Sequence, residues 1–300
     1  HQDRSLVAER DGAVCGVLPM MLLSHWLLGT FTVSLPWLDY GGVLADDAET
    51  ARALIDAATA QARQDRARFI ELRSLDAVFS GLPVRQEKIT YWLPLADADV
   101  VWKGLDPKVR NQVRKAQRAG LTCQFGREEL LTEFYRVFAR NMRDLGTPVW
   151  GISLFQNILK AFPKTSELAL VRLGEKAIGG GLVLSSKDTV YMPSASSLRQ
   201  YFNLCPNNLL YWEVIKRACD YGYRYFDFGR STVGSGTSHF KKQWGAEVKP
   251  LHWQYILLNG KKMPQLNPSN PRFKFLIGVW KRLPLRIANW LGPRIVRNLP

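Results

Sequence analysis

One unit, written twice in the same order, constrains this chain more than any other feature. It consists of strand, tight turn, strand, extended piece, helix and strand. The first copy opens with Leu6-Val-Ala-Glu-Arg-Asp-Gly12 and AVCGVLPMML, the second with Leu168-Ala-Leu-Val-Arg-Leu-Gly174 and EKAIGGGLVL. Irregular extended pieces follow, SLPWLDYGGVLA and VYMPSASSLRQYFNLCP, and then helical stretches, ETARALIDAATAQARQDR and NNLLYWEVIKRACDYG. The copies close on ARFIELRS and YRYFDFGRS, which aligns Glu71, Arg73 and Ser74 with Asp227, Arg230 and Ser231. Single coincidences of this kind are weak, but several in one order predict a duplicated α/β unit.

Between the copies lie a strand (KITYWLPLA), a basic helix, a short strand (LTCQF) and two helices, REELLTEFYRVFARNMRDLG and SLFQNILKAFP. These supply the second unit's opening elements. The first unit has no counterpart to them, which leads us to expect a missing N-terminal segment. PLHWQYILL reads as a last strand of the second unit. The expected division is 1–87, 88–258 and a basic tail, 259–300.

Three hundred residues suffice for two such units with real cores. The longest apolar run, GVLPMMLL, is broken by Pro19 and reads as a buried strand, far short of the roughly 20 residues of a membrane span. Four scattered cysteines and four scattered histidines match no zinc or redox spacing, so no metal is expected, and the thiols read as reduced and mostly buried in a cytoplasmic protein. The net charge of +15 is uneven. Glu247 is the last acid, and the 53 residues after it hold ten of the 41 Lys and Arg. The body is left with 31 basic against 26 acidic residues, so the total charge makes no case for DNA binding.

Chemistry concentrates in a few places. LDPKVRNQVRKAQRAG has Asp106 as N-cap, Pro107 in the first turn and Gly120 past the end. Val109, Val113 and Ala116 form its apolar stripe. Arg110, Arg114 and Arg118 share one flank, Lys108 and Lys115 another, with no acid between Asp106 and Glu128. The helix face is either solvated or holds a phosphate-bearing ligand. In SLPWLDYGG, Asp39 either faces a cleft beside backbone splayed at the glycine pair or stabilises a turn. Tyr211 and Glu213 stand among apolar residues of a helix, where Glu213 is a surface ion-pair partner or a candidate base. FDFGRSTVGSGTSHFKKQWG ends a strand with Asp227, Arg230 and Ser231 and then brings Lys241 and Lys242. Gly229 and Gly234 have the spacing of a nucleotide-binding loop, but Ser235 occupies the place of its lysine, which excludes a nucleotide hydrolase.

KVRNQVRKAQRAGL, ARNMRDLGTPVW, NLCPNNLLYWEVI and YFDFGRSTVGSGTSHFKKQWGAE together resemble the FemAB-like proteins found with exosortase (PEP-CTERM) and exopolysaccharide systems. The resemblance implies two tandem acetyltransferase-like (GNAT) domains of class α/β (α+β), each a mixed, mostly antiparallel sheet flanked by helices. It implies transfer of an acyl or aminoacyl group to an amine of a phosphate-bearing envelope or polysaccharide precursor. Arg110, Arg114 and Lys115 would contact phosphate, and Asp227, Arg230, Lys241 and Lys242 would surround the reaction centre. Asp39, Tyr211 and Ser231 are added as substrate-binding candidates, and Asp227, Lys241 and Glu213 as catalytic ones. No resident cofactor is implied: the donor is a co-substrate, aminoacyl-tRNA or acyl-CoA. Neither LADDAET nor RQYFNLCPNN supplies the Gly-rich pyrophosphate loop of a CoA-binding GNAT, which counts against acetyl-CoA. The rivals are an acyl-CoA-dependent N-acyltransferase and a catalytically dead binding module.

The tail, NPRFKFLIGVWKRLPLRIANWLGPRIVRNLP, is cut by Pro271, Pro284 and Pro293. Phe273, Leu276, Val279, Trp280 and Leu283 recur at helical spacing among Arg272, Lys274, Lys281, Arg282 and Arg286. The tail is either an arm packed on the body or an anchor on anionic lipid at the inner face of the cytoplasmic membrane.

Overall fold

The computed structural model describes residues 1–25, 29–77, 79–260, 263 and 271–297. Its first elements are β1 (Gln2–Asp3), β2 (Leu6–Arg10), β3 (Ala13–Leu18), β4 (Met21–His25), β5 (Gly29–Val33), β6 (Leu44–Ala45), α1 (Ala48–Gln64), β7 (Phe69–Ser74) and β8 (Val84–Arg85). Next come β9 (Lys88–Pro94), α2 (Ala98–Gly104), α3 (Pro107–Arg118), β10 (Leu121–Gly126), α4 (Glu128–Leu145) and α5 (Ile152–Ala161). Then follow β11 (Ser166–Leu173), β12 (Lys176–Ser186), β13 (Thr189–Ser197), a 3-10 turn (Arg199–Leu204) and α6 (Pro206–Asp220). The chain ends with β14 (Tyr225–Asp227), β15 (Ser231–Thr232), α7 (Gly236–Lys242), β16 (Glu247–Pro250), β17 (His252–Leu257), α8 (Pro271–Arg282) and α9 (Leu285–Val296).

Two compact units result. The first holds residues 1–89 and takes the chain back from Lys249, so β17 lies in its sheet. That sheet has the order β1-β4-β5-β7-β17-β8, with β17 antiparallel to β7 from His252–Ser74 to Leu257–Phe69. The expected boundary at 87/88 is close, but the assignment of HWQYIL to the second unit is corrected. Trp253 and Tyr255, alternating along β17, are buried on the first unit's sheet. A separate three-stranded sheet, β2-β3-β6, holds the opening hairpin. GVLPMMLL is not one strand. Pro19 ends β3, Met21 starts β4, and the two strands belong to different sheets. Leu18, Met20 and Leu22 still point into one core, against Leu54, Ile55 and Ala58 of α1.

In the second unit the sheet order is β10-β11-β12-β13-β14-β9-β15. Strands β10 to β13 pair antiparallel, β13 and β14 pair parallel, and β14 and β9 pair antiparallel. The parallel pairing covers only Thr189–Tyr191 against Tyr225–Asp227, whereas β13 continues to Ser197. Helix α6 lies across β10 to β13. Leu130, Phe134 and Phe138 of α4, with Phe155 and Leu159 of α5, cover Leu168, Leu170 and Leu182 of the sheet.

The tail is part of the second unit and does not stand apart from it. Leu285 packs on the α4–α5 core, Ala288 is buried, and Arg143 donates to the Leu283 carbonyl at 3.1 Å. A Cβ at Gly292 would come within 2.8 Å of the Val149 amide nitrogen, so only glycine permits this approach. Trp280 and Leu283 are half-buried, while Leu276 and Val279 are exposed. Pro271–Arg282 is helical as the spacing predicted, and the side chains of Arg272, Phe273 and Lys274 lie outside the described residues. No described helix is long and apolar enough to cross a membrane. All four cysteines are half-buried, less sheltered than expected.

Candidate functional site

The strand β14 delivers Asp227 to a fully buried position. Its Oδ1 accepts from the Thr90 hydroxyl at 2.5 Å and from the Gly229 amide at 2.8 Å. The chain then turns through Gly229 and Arg230 into the two-residue β15, and Ser235 caps α7 by accepting from the Ser238 amide at 3.2 Å. Lys241 is the outcome of that cap. Six residues beyond it, near the end of α7, its side chain runs back to the loop, and Nζ donates to the carbonyls of Gly229 at 2.6 Å and Arg230 at 3.0 Å. Lys241 is therefore a buried cation, 6% exposed. Tyr91 and Ser238, with hydroxyls 2.7 Å apart, join β9 to α7 behind it. Ser231 is buried, and its Oγ has no hydrogen-bond partner. Arg230 is half-buried and Lys242 exposed.

Tyr211 and Glu213 do not share this place. The Tyr211 ring packs against Phe226, Phe228, Phe240 and Trp244, and burial pushes its phenol up. Tyr211, named as a substrate contact, thus lies buried on the core side of the Asp227–Lys241 segment. Two residues on, about 200° around the helix, Glu213 faces β10. Burial raises its carboxyl above 4.5, opposed by Lys216, and its charge helps hold the Cys123 thiol up at about 12, after burial itself. Cys123 is on β10, four strand steps from β14, or about 19 Å.

The basic helix α3 forms as its signals required. Asp106 accepts from the Lys108 amide at 2.7 Å, and Val109, Val113 and Ala116 are fully buried. It packs on α6, where the Asn208 amide donates to Gln112 at 3.1 Å. Arg110 is half-buried, with Nε out of solvent and unpartnered. Arg114 lies 5.5 Å from the Trp102 ring, and Lys115 is exposed beside a shallow trough lined by Lys108, Asn111, Gln112 and Arg118.

Asp39 belongs to the first unit and is buried. Its carbonyl accepts from the Trp253 indole at 3.2 Å. The loop around it is strained, with Leu35 at φ 44° and Trp37 at φ 71°. Ties to β7 hold it: the Arg73 amide donates to Ser34 Oγ at 2.9 Å, and the Arg73 guanidinium donates to the Leu38 carbonyl at 3.0 Å. Gly41 and Gly42 serve close approach here rather than splaying. A Cβ on either would meet Leu35 or Ser74 at 2.2 Å. Under the loop, Glu71 pairs with Arg73 at 2.7 Å and accepts from the Tyr255 hydroxyl at 2.6 Å, while Arg73 stacks 4.2 Å from the Trp253 ring. Sequence reasoning missed Thr90 and the Tyr91–Ser238 link, because neither position carries a local signal.

Residues 107–242 match the family described as acetyltransferase (GNAT) domain. Over 86% of its length the chain superposes on 88% of FemX, with a TM-score of 0.68 at 18% identity. It also superposes on the C-terminal domain of a protein named as a lysylphosphatidylglycerol synthetase of Agrobacterium fabrum (TM-score 0.63, 13% identity, 84% of each chain). A third match is L-PGS of Bacillus licheniformis (TM-score 0.58, 12% identity, 94% of this chain and 90% of that one). The chain shares their fold. No curated protein matches the sequence.

Proposed function

We propose that the chain is an acyl- or aminoacyl-transferase of FemAB-like type, acting on an amine of a phosphate-bearing cell-envelope or exopolysaccharide precursor at the cytoplasmic face of the membrane. The observation that carries this reading is the inward Lys241. A buried ammonium holds the carbonyls of Gly229 and Arg230 beside Asp227, where β14 stops and β13 runs on, inside the stretch that matches the acetyltransferase family. A fixed positive charge at such a strand end is suited to a carbonyl that becomes an oxyanion.

The acceptor amine attacks the donor ester or thioester carbon, the C–N bond forms, and the C–O or C–S bond breaks. The amine's proton passes to the leaving oxygen or sulfur through Asp227 or a substrate phosphate. Glu213, which faces β10, is given no part in this exchange. Arg230 and Ser231 border the site, and Arg110, Arg114 and Lys115 offer cations to donor or acceptor phosphates. Aminoacyl-tRNA suits this basic helix. The family match favours the second reading, acyl-CoA, although a 3-10 turn closed by Cys205 at φ 57° stands where a CoA-binding GNAT places its glycine loop.

Side-by-side incubation with labelled aminoacyl-tRNA and labelled acetyl-CoA, tracing label into lipid and sugar acceptors, decides between donors. Label transferred from neither donor by folded protein would leave the binding-module reading. Replacing Arg110 and Arg114 by alanine should weaken binding of the productive donor or acceptor at least tenfold and flatten its salt dependence.

A further inference from the structure

Helix α9 turns Leu285, Ala288 and Gly292 toward α4 and Val149. At about 100° per residue the opposite side carries Arg286, Ile287, Trp290, Arg294 and Arg297. Trp290 is 60% exposed and Ile287 44%, and all three arginines are exposed. The Arg294 guanidinium lies 4.2 Å from the Trp290 ring centroid and donates to the Trp290 carbonyl at 2.5 Å, which keeps the ring on the outer face. On α8, Leu276 and Val279 are also exposed, next to Lys281 and Arg282. No acidic residue occurs on either helix or anywhere after Glu247.

In water this face combines exposed indole and aliphatic surface with like charges at helical neighbour spacing. An anionic lipid surface relieves both. Indole rings settle at head-group level, aliphatic side chains enter the acyl boundary, and guanidinium groups meet lipid phosphate. A nucleic acid would satisfy the arginines but gives Ile287, Leu276 and Val279 nothing to enter. We propose that the outer face of α9, extended by α8, docks on an anionic lipid surface with Trp290 and Ile287 inserted and Arg286, Arg294 and Arg297 on lipid phosphates. This assignment places the anchor on α9, beyond the Phe273–Leu283 stripe that the spacing had singled out. It stands independently of the acyl-transfer reading.

The test is sedimentation of the full chain with mixed phosphatidylglycerol–phosphatidylcholine vesicles and with phosphatidylcholine vesicles, at low salt and at about 0.5 M salt. The wild type should bind the anionic vesicles and release them in high salt. Replacing Arg286, Arg294 and Arg297 by alanine should lower partitioning about 100-fold, at on the order of 1 kcal/mol per surface cation. Ile287→Glu with Trp290→Glu should abolish it. Vesicles with brominated acyl chains should quench wild-type tryptophan fluorescence, and quenching should fall in Trp290→Phe, a mild change that decides the matter should the glutamate variant fail to fold. Equal binding to neutral vesicles, no vesicle binding, or quenching unchanged in Trp290→Phe would each overturn the proposal. So would a wild-type dimer that Trp290→Glu splits, assigning the face to a second copy, or RNA binding that is lost when Arg286, Arg294 and Arg297 are replaced while vesicle binding is unchanged.

Discussion

Glu71 on β7 and Asp227 on β14 occupy corresponding places in the two units. Each stands opposite a parallel neighbour, Val33 of β5 in the first case and Tyr191 of β13 in the second. Both acids are buried, yet the chain answers them differently. Glu71 finds its cation two residues away on the same strand, and Tyr255 takes its second oxygen. Around Asp227 the cation comes from α7, and it clamps the backbone carbonyls of the intervening loop. A charge satisfied within its own strand serves architecture. A charge carried on a separate short helix makes the loop between them depend on that helix.

The contrast can be broken at Arg73. Arg73→Ala leaves the Glu71 carboxylate buried without its guanidinium and frees the strained loop at Leu38, so unfolding in denaturant should show a loss of about 3–5 kcal/mol. A loss below about 1 kcal/mol would mean that the pair is not the first unit's anchor. Lys241→Ala should reach the chemistry as well, lowering transfer about 10²–10³-fold in single-turnover assays. It should also lower stability, because two carbonyls lose a buried donor, at about 1–3 kcal/mol each. Wild-type turnover in folded Lys241→Ala protein would remove the lysine from the chemistry. Thr90→Val tests the acid itself. It deletes one hydrogen bond to buried Asp227 and should cost about 1–3 kcal/mol, with a smaller fall in transfer, by thermal unfolding and the same assay.

The smallest effect belongs to Glu213. Burial raises its folded pKa above 4.5, so the folded chain binds that proton more tightly than the unfolded chain. Stability therefore declines as pH climbs from the unfolded value through the folded one. Glu213→Gln should raise Tm slightly near pH 7.5, leave it unchanged near pH 4, and preserve transfer. Loss of transfer would instead make Glu213 the base and move the reaction centre toward β10.

Legibility followed the reach of each signal. Helix α3 was readable because cap, proline, stripe and terminal glycine all lie within sixteen residues. The equivalence of the Glu71 and Asp227 strand ends was readable from the repeat. The partner of β7 was not, because β17 lies about 180 residues downstream and its alternation suits either sheet. The pattern SGTSHFKK hid a helix behind small polar residues, and with it the inward turn of Lys241, which depends on the Ser235 cap. Tyr211 and Glu213, two places apart, face a core and a distant strand because of their rotation about α6, and that rotation is set by aromatic neighbours from other elements.

The position of β17 has a consequence for synthesis. It lies between β7 and β8 in the first unit's main sheet, yet it follows nearly the whole second unit in the chain. A ribosome adding about 5–20 residues per second finishes residue 89 on the order of ten seconds before β17 emerges. Until then, β7 has an open edge and the face that will cover Trp253 and Tyr255 is bare. The earlier of the two units in the chain is thus completed only after most of the later one has emerged. Stalled or truncated chains ending before His252 should expose that edge to chaperones and proteases.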